Sequence, residues 1–580
     1  MAESITTVEF DRIQLDYYLG VLSAYQCGEW KSLSKINIKE FLDHPLFIEI
    51  LSYKISALMQ IGKVDEAEEL IDKYVRNEAD VLAILLSLIS GAYNSLARAQ
   101  IIVGDKKKSE ILFSISAKFS VSTVEVDSVV KKRAAYQNKI IDCENVSNSN
   151  DVITLKKECR IDLGTAWAGN TINTVIFRHQ GVVTSNGYQF TAFYVDGNTI
   201  TIVKRRLVDD LIEKYNLSGK YNLKDAHNSI SLGIDRSGHI HISYDHHSSK
   251  LKYRRSIKPL DIESWTDELS MTGENEQKVT YPTFILPKNN SPLLLLYRDG
   301  NWKKGSAFLK FFDEISGTWD DYPLPILSGA EHKPWTSNAY WNNPVVDRYG
   351  CLHLSYVWRT DYFSSEQLVN NINIGYAKSY DNGSTWKTIK GQPYKLPITQ
   401  VNSDVVWPIS PGSNLINQCS MAVDSKGYPH IVFYSNDDNG VPQYQHIWYT
   451  GKIWNHSYVS NRKESFKLAG GGTLKIPMSR PAIVIDKKDN VFIFFRSDES
   501  NQKMAVYCLQ SPFYNSTNIT YKIIWDESIE QSEPVFDFSR WCEENILTFF
   551  IQKNKQPDGD LVHENNIERV YLLDIVTSCL

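Results

Sequence analysis

Ser231-Leu232-Gly233-Ile234-Asp235-Arg236-Ser237-Gly238-His239-Ile240-His241-Ile242-Ser243-Tyr244 is the stretch whose pattern decides the fold. Apolar and polar residues alternate on either side of a short Asp-to-Gly turn, so it reads as strand, tight turn, strand. The phrase returns as Val345-Val346-Asp347-Arg348-Tyr349-Gly350 and as Ala422-Val423-Asp424-Ser425-Lys426-Gly427. A weaker copy is Val484-Ile485-Asp486-Lys487-Lys488-Asp489-Asn490, and a copy without the Asp runs from Phe284 through Pro287 and Asn290 to Tyr297. Residues 188–203 and 535–551 supply two further strand pairs. Spacings of roughly 50 to 75 residues suit one four-stranded blade per copy, and the count comes to about seven blades of a β-propeller. WD40 repeats are disfavoured, because no Gly-His to Trp-Asp signature accompanies the copies. Ser379-Tyr380-Asp381-Asn382-Gly383-Ser384-Thr385-Trp386 fits the Asp-box pattern S-x-D-x-G-x-T-W. In such a turn the Asp caps amides, the Gly takes a positive φ and the Trp packs between strands, so the box speaks for a propeller and not for catalysis.

Upstream the period changes. Up to about residue 145, apolar residues recur at three and four, as on helices. Two turns resemble each other, Cys27-Gly28-Glu29-Trp30 and Ile61-Gly62-Lys63-Val64, with glycines 34 residues apart, and Val103-Gly104-Asp105 follows after a longer interval. That is the tetratricopeptide period. The segment resembles the tetratricopeptide-like modules that precede enzymes of bacterial surface-polysaccharide loci; a plain helical bundle is the alternative. The reading is therefore a multidomain α plus all-β chain: a helical-repeat domain over 1–145, a polar linker over 146–158, and a seven-bladed propeller over 159–580. The helices hold no catalytic cluster and are expected to dock a protein partner or to self-associate.

The bulk composition narrows the function. A length of 580 residues, 42% hydrophobic and 22% charged, is that of a globular protein of more than one core. A net charge of −6 with no basic stripe speaks against a nucleic-acid partner. The eight cysteines form no CxxC pair, which excludes a zinc ribbon. A structural zinc would need Cys351, His353, Cys419 and His430 to converge; no metal or other cofactor is expected. The N-terminus lacks a secretory pattern and no run approaches a membrane span, so a cytoplasmic location is expected. The 14 Trp and 32 Tyr suit both β-rich cores and sugar-binding surfaces.

In a propeller the innermost strand of each blade starts near the axis, so residues just before each phrase converge on one face. These are His227-Asn228, Tyr281-Pro282, Tyr340-Trp341-Asn342, Gln418-Cys419, Arg480-Pro481 and Glu533-Pro534. The next turns carry His246-His247 and Tyr297-Arg298-Asp299-Gly300. Together with Asp225-Ala226-His227-Asn228 and Tyr281-Pro282-Thr283-Phe284, these segments resemble the BNR-4 propeller family, whose members include the ulvan lyases of polysaccharide lyase families 24 and 25. The resemblance implies a cleft lined by His227, His247, Tyr281, Arg298 and Tyr340, with His246 the alternative to His247. Asn228, His246, Trp341, Asn342 and Arg480 are the further substrate-binding candidates.

The chemistry implied is β-elimination at a uronic acid of an anionic, bacterial surface-type polysaccharide. A guanidinium neutralises the carboxylate, for which Arg298 is the candidate. His227 and Tyr281 form the acid/base pair, in either order. His247 would orient the sugar or stabilise charge, and Tyr340 would assist at the carboxylate. Two other functions fit the same inventory: a glycan-binding scaffold without turnover, and, less well, a sialidase-like hydrolase suggested by the Asp box.

Overall fold

The structure, a computed structural model, describes residues 21–22, 24–25, 29–42, 44, 46–102, 105–120, 154–329, 336, 338–360, 368–514 and 521–578. The chain divides into two units, Met1–Val152 and Ile153–Leu580.

In the first unit, helices Phe47–Gln60 and Val64–Tyr74 form a hairpin. Gly62 turns the chain between them at φ +79°, a conformation that costs a residue without Cβ nothing. Ile50, Leu51, Ile55, Ala57 and Leu58 face its core. The companion glycines Gly28 and Gly104 lie outside the described residues. Helices Glu78–Ile102 and Lys106–Ser120 follow. Contrary to the expectation of no span-length run, Glu78–Gln100 is long and apolar enough to cross a membrane. Its buried face is small and polar: Ser87 donates to the Ser52 carbonyl at 3.0 Å and Ser90 to the Ser116 carbonyl at 2.9 Å. Those residues interrupt the apolar pattern and hide its length in the sequence.

The second unit is a seven-bladed propeller of antiparallel sheets. Blade one is built from Val182–Ser185, Tyr188–Asp196, Thr199–Arg206 and Ile212–Ser218. Blade two is Ser231–Ile234, Ile240–Ser243 and Tyr253–Arg255. Blade three is Val279–Ile285, Leu294–Asn301, Lys304–Asp313 and Thr318–Asp321, and blade four runs from Asn338–Trp341 through Leu352–Arg359 and Asn371–Ser379 to Val405–Trp407. Blades five and six each have four strands, starting at Ser420–Val423 and Ala482–Ile485. In blade seven, the C-terminal strand Ile567–Ser578 pairs with Thr154–Trp167 from the start of the unit, from Thr154↔Ser578 to Trp167↔Ile567. Of the stretch expected as linker, residues 154–158 are already part of this closing strand, and residues 146–153 lie outside the described residues.

The repeated phrase is explained by its own hydrogen bonds. Asp347, Asp424 and Asp486 each accept backbone N–H groups two and four residues on, at 2.8–2.9 Å. Gly238, Gly350 and Gly427 take φ of +85°, +82° and +80°, and Asp489 takes the same left-handed place at +64° in the copy that lacks Gly. In three blades the same Asp also meets a buried histidine six residues on. His241 and His353 lie 3.2 Å from Asp235 and Asp347, and His430 lies 3.9 Å from Asp424. The other ring nitrogen bonds Tyr253, Tyr376 or His446 at 2.6–2.9 Å. Both nitrogens of His353 are thus engaged, and Asp347, Cys351 and His353 repeat a blade-building unit. Cys419 and His430 do not join them. In the Ser379–Trp386 turn, Asp381 accepts from the Thr385 amide at 2.8 Å and Gly383 sits at φ +98°. Trp386 is buried and donates to the Gly383 carbonyl at 2.9 Å.

The closure is reinforced electrostatically. Buried Asp574, on the last strand, pairs with Arg205 of blade one at 2.7 Å and with Arg540 at 2.9 Å, and accepts from Thr548 at 2.6 Å. Burial alone would raise this carboxyl, but the hydrogen bonds from Arg205 and Thr548 and the two guanidinium charges outweigh it and lower it. Removing one partner of a buried ion pair leaves the others uncompensated. Asp574→Ala is expected to destabilise the propeller by about 3–5 kcal/mol, read as a fall in the urea midpoint; an unchanged midpoint would refute the closing role.

Candidate functional site

A cavity of about 880 Å³ opens in the propeller and is lined by His227, His247, Tyr281, Arg298 and Tyr340 together with Arg359 and Arg480. Blades one to six contribute to it or border it through segments at or before their inner strands or near the ends of their second strands, and blade seven adds Asp560 from the segment after its second strand.

Thr280 organises one wall. On the inner strand of blade three it pairs in register with His247 on one side and Arg298 on the other. Its hydroxyl oxygen accepts from Arg298 Nη2 at 3.1 Å and from the Ser248 amide at 2.8 Å. The strand then bulges between Thr280 and Thr283, and Tyr281 takes φ +58°. An aromatic residue in the left-handed region is uncommon and is held there by its surroundings. Tyr281 packs edge-on against Phe177, Tyr340 and Trp341 at centroid distances of 5.2, 6.1 and 6.3 Å. The bulge re-aims this side chain out of the ordinary strand alternation.

Arg298 lies 2% exposed, with its guanidinium 5.1 Å from the Tyr281 ring. Apart from the bond to Thr280 it has no hydrogen bond or ion pair among the described residues, and its Nε is buried without a partner. Its stem needs Gly305, where a Cβ would stand 2.3 Å from Asn338 Oδ1 and 2.8 Å from Arg298 Cδ.

The imidazoles form the second wall. Asp225 caps the short helical turn Ala226–Asn228, accepting the His227 amide at 2.9 Å. Its Oδ1 also meets His227 Nδ1 at 2.7 Å, and its Oδ2 meets His247 Nδ1. The two imidazoles stack with centroids 4.2 Å apart, and His227 lies 5.8 Å from Tyr281. With each Nδ1–H turned to the carboxylate, each Nε2 is the basic nitrogen. Burial would raise the Asp225 carboxyl; the hydrogen bonds from His227 and His247 outweigh it and hold it far below the carboxylate range. Burial lowers His227, against the raising effect of Asp225, so the ring is neutral near pH 7. Burial pushes the Tyr281 phenol well above 10 and Tyr340 adds to this, against the lowering effect of Arg298, Arg359 and Arg480.

The other sequence candidates fall differently. Arg480 reaches the wall, 5.5 Å from the Phe177 ring, but is paired with Glu533 at 3.0 Å. His246 does not line the cavity; it is fully buried, bonded to Ser243 at 3.1 Å and to the Lys252 amide at 3.2 Å, and burial lowers it to about 3. It lies in the turn between strands Ile240–Ser243 and His247–Ser249 and is folded inward there, while His247 begins the next strand. Asn228 donates to the Asn222 carbonyl at 2.8 Å, Asn342 donates to Ser355 at 2.9 Å, and Trp341 is a core residue 1% exposed. None of these four is among the residues that line the cavity.

Sequence reasoning missed Arg359, Trp302, Phe177 and the loop Gly470–Thr473. Arg359 stands over the Tyr340 ring at 4.9 Å and donates to Asn371 at 2.7 Å. Its signal was present: Val357-Trp358-Arg359 places an arginine after an aromatic on the second strand of its blade, as Leu296-Tyr297-Arg298 does. The loop and Phe177 carry no local signal.

Because Asp225 raises His227, its removal lowers the imidazole further. Nuclear magnetic resonance titration of Asp225→Asn is expected to shift His227 downward from a native value already below the ordinary ~6.5; an upward shift would contradict the dyad.

Residues 188–462 match the profile described as BNR repeat-containing family member. No curated protein matches the chain. Among solved structures, polysaccharide lyase Uly1 is similar over 73% of this chain and 99% of its own, at 15% identity and a TM-score of 0.54. A PL25 ulvan lyase solved with -[GlcA(1-4)Rha3S]- bound is similar over 72% of this chain and 98% of its own, at 16% identity and a TM-score of 0.53. At these identities the likeness is one of fold. The repeated phrases and the seven blades thus agree with a match to the BNR repeat-containing family model that spans residues 188–462 of the propeller.

Proposed function

We propose that the propeller is a polysaccharide lyase that cleaves a uronate-containing anionic polysaccharide by β-elimination. The observation that carries this reading is Arg298: a guanidinium 2% exposed, with one hydrogen bond, beside two imidazoles and a tyrosine in one cavity. An uncompensated buried charge costs several kcal/mol. A fold that keeps one facing a cavity has a use for it, and a carboxylate answers that use bidentately.

The steps follow from the residue types. The C5 proton of a uronate is a very weak acid until the adjacent carboxylate is neutralised, which Arg298 does. His227, neutral and with Nε2 turned away from Asp225, takes that proton. The electron pair expels the O4 of the neighbouring sugar and leaves a C4–C5 double bond. Tyr281 keeps its proton across the physiological range and delivers it to the departing O4. In this reading histidine is the base and tyrosine the acid, an order the residue types alone leave open. Asp225 supports the charge that develops on His227, and His247, held by the same carboxylate, orients the sugar. Tyr340, beneath Arg359, lies where it assists at the carboxylate.

Turnover is read as ultraviolet absorbance of the unsaturated product from a panel of uronate polymers. Arg298→Ala is expected to lower kcat/KM by about 10²–10³-fold and His227→Ala by about 10²–10⁴-fold. Binding of a uronate polymer with no unsaturated product would replace this reading by that of a glycan-binding propeller. The pH profile is set by two groups. The base must be unprotonated, so the acid limb lies below the ordinary histidine value of ~6.5. The acid must be protonated, so activity holds until above ~10. An acid limb centred above pH 7 would remove His227 as the base.

A further inference from the structure

A second cavity, of about 630 Å³, lies between blades four and five at the other end of the same strands. Strand Leu352–Arg359 connects the two places: Arg359 at its end faces the first cavity, and Cys351 at its start floors the second. Eight extended residues set them roughly 25 Å apart, on opposite faces of the propeller.

The walls of this cleft are aromatic and cationic. Tyr349 and Tyr380 stand at its edge, each 63% exposed, and Lys378, Lys390 and Lys426 line it. None of these lysines makes an ion pair among the described residues. The one carboxylate in the lining, Asp347, is held by the Tyr349 and Cys351 amides and by His353.

The turn itself takes only the backbone N–H of Tyr349, at 2.8 Å; the Tyr349 hydroxyl accepts from Arg348 at 2.6 Å and donates to the Ser425 carbonyl at 3.4 Å, contacts that hold the ring at the mouth of the cleft. The corresponding positions in the next two blades are Lys426 and Lys488, whose amides make the same bond at 2.8 Å. Tyr380 occupies a position of the Ser379–Trp386 turn whose side chain that turn does not use, and Lys378 lies 5.5 Å from its ring. Large aromatic rings left exposed beside unpaired cations suit a ligand with apolar C–H faces and negative substituents.

We propose that this cleft is a second, non-catalytic binding site for an anionic glycan: Tyr349 and Tyr380 stack on sugar rings while Lys378, Lys390 and Lys426 meet carboxylate or sulfate groups. It would hold the polymer on the face away from the reacting cavity. The proposal takes only its ligand class from the lyase reading; the site itself rests on separate residues.

The test uses the full chain carrying Arg298→Ala, which removes the anion hold of the first cavity. Calorimetry is run with oligogalacturonate, oligoglucuronate and hyaluronan fragments, with dextran fragments and oligothymidylate as controls. Uronate binding is expected to persist in Arg298→Ala and to weaken at least tenfold when Tyr349→Ala and Tyr380→Ala are added. The Tyr349→Phe and Tyr380→Phe pair should restore it, which separates stacking from misfolding. Absence of uronate binding in Arg298→Ala, indifference to the tyrosine changes, or equal binding of oligothymidylate would each overturn the proposal. In the otherwise wild-type chain, Tyr349→Ala should raise KM on long polymer severalfold and leave turnover of short fragments unchanged. Tyrosine-dependent binding without any unsaturated product would sink the lyase reading and leave this site standing; the converse result would do the reverse.

Discussion

The pairing of Thr154–Trp167 with Ile567–Ser578 shuts the ring, and every encounter in the cavity depends on that closure. His227, Tyr281, Arg298 and Tyr340 come from four places along the chain and have no local reason to meet. They meet because the blades are fixed in angle around one axis. The closing strand is anchored where burial makes charge expensive: Asp574 is shared by Arg205 and Arg540, so the first and last blades cannot part without stranding buried ions.

The buried arginines of the propeller show by contrast why Arg298 differs. Arg178 is buried but donates to the carbonyls of Asn173, Gly181, Ala192 and Ile230, and burial brings its guanidinium down to about 9. Arg496 is likewise wrapped by the carbonyls of Ile476, Pro477, Gln531 and Ser532. Both are finished structural groups. Arg298 has a single neutral partner and faces open space, so its electrostatic requirement is met from outside the protein. The shared Asp225 plays the complementary part, keeping two imidazoles in one tautomer and one orientation without making the cavity itself acidic.

The two faces of the propeller follow different rules. On one, the repeated Asp turns are held by their own backbone, and at blade four Tyr349 of such a turn and Tyr380 of the Ser379–Trp386 turn stand exposed beside one cleft. On the other, the strand ends must project inward, and there the bulge at Tyr281 spends backbone strain on direction.

The blade count was legible because each copy of the phrase has a local cause: an Asp that caps amides and a Gly that turns left-handed, both readable residue by residue. His227, His247, Tyr281 and Arg298 were legible because each sits at a fixed offset from such a copy. Asn228, His246, Trp341 and Asn342 were not separable from them, since a neighbour in sequence at a turn or strand end can fold inward and be buried, which only the packed blades decide. Arg359, Phe177 and the Gly470–Thr473 loop were invisible or overlooked, because their place is set by blade angle and loop path. Sequence alone fixed the repeating unit and the types of group available for chemistry. Only the tertiary structure decided which of them share a cavity, because alternation along a strand and the closing of the ring are properties of paired strands and not of any single stretch.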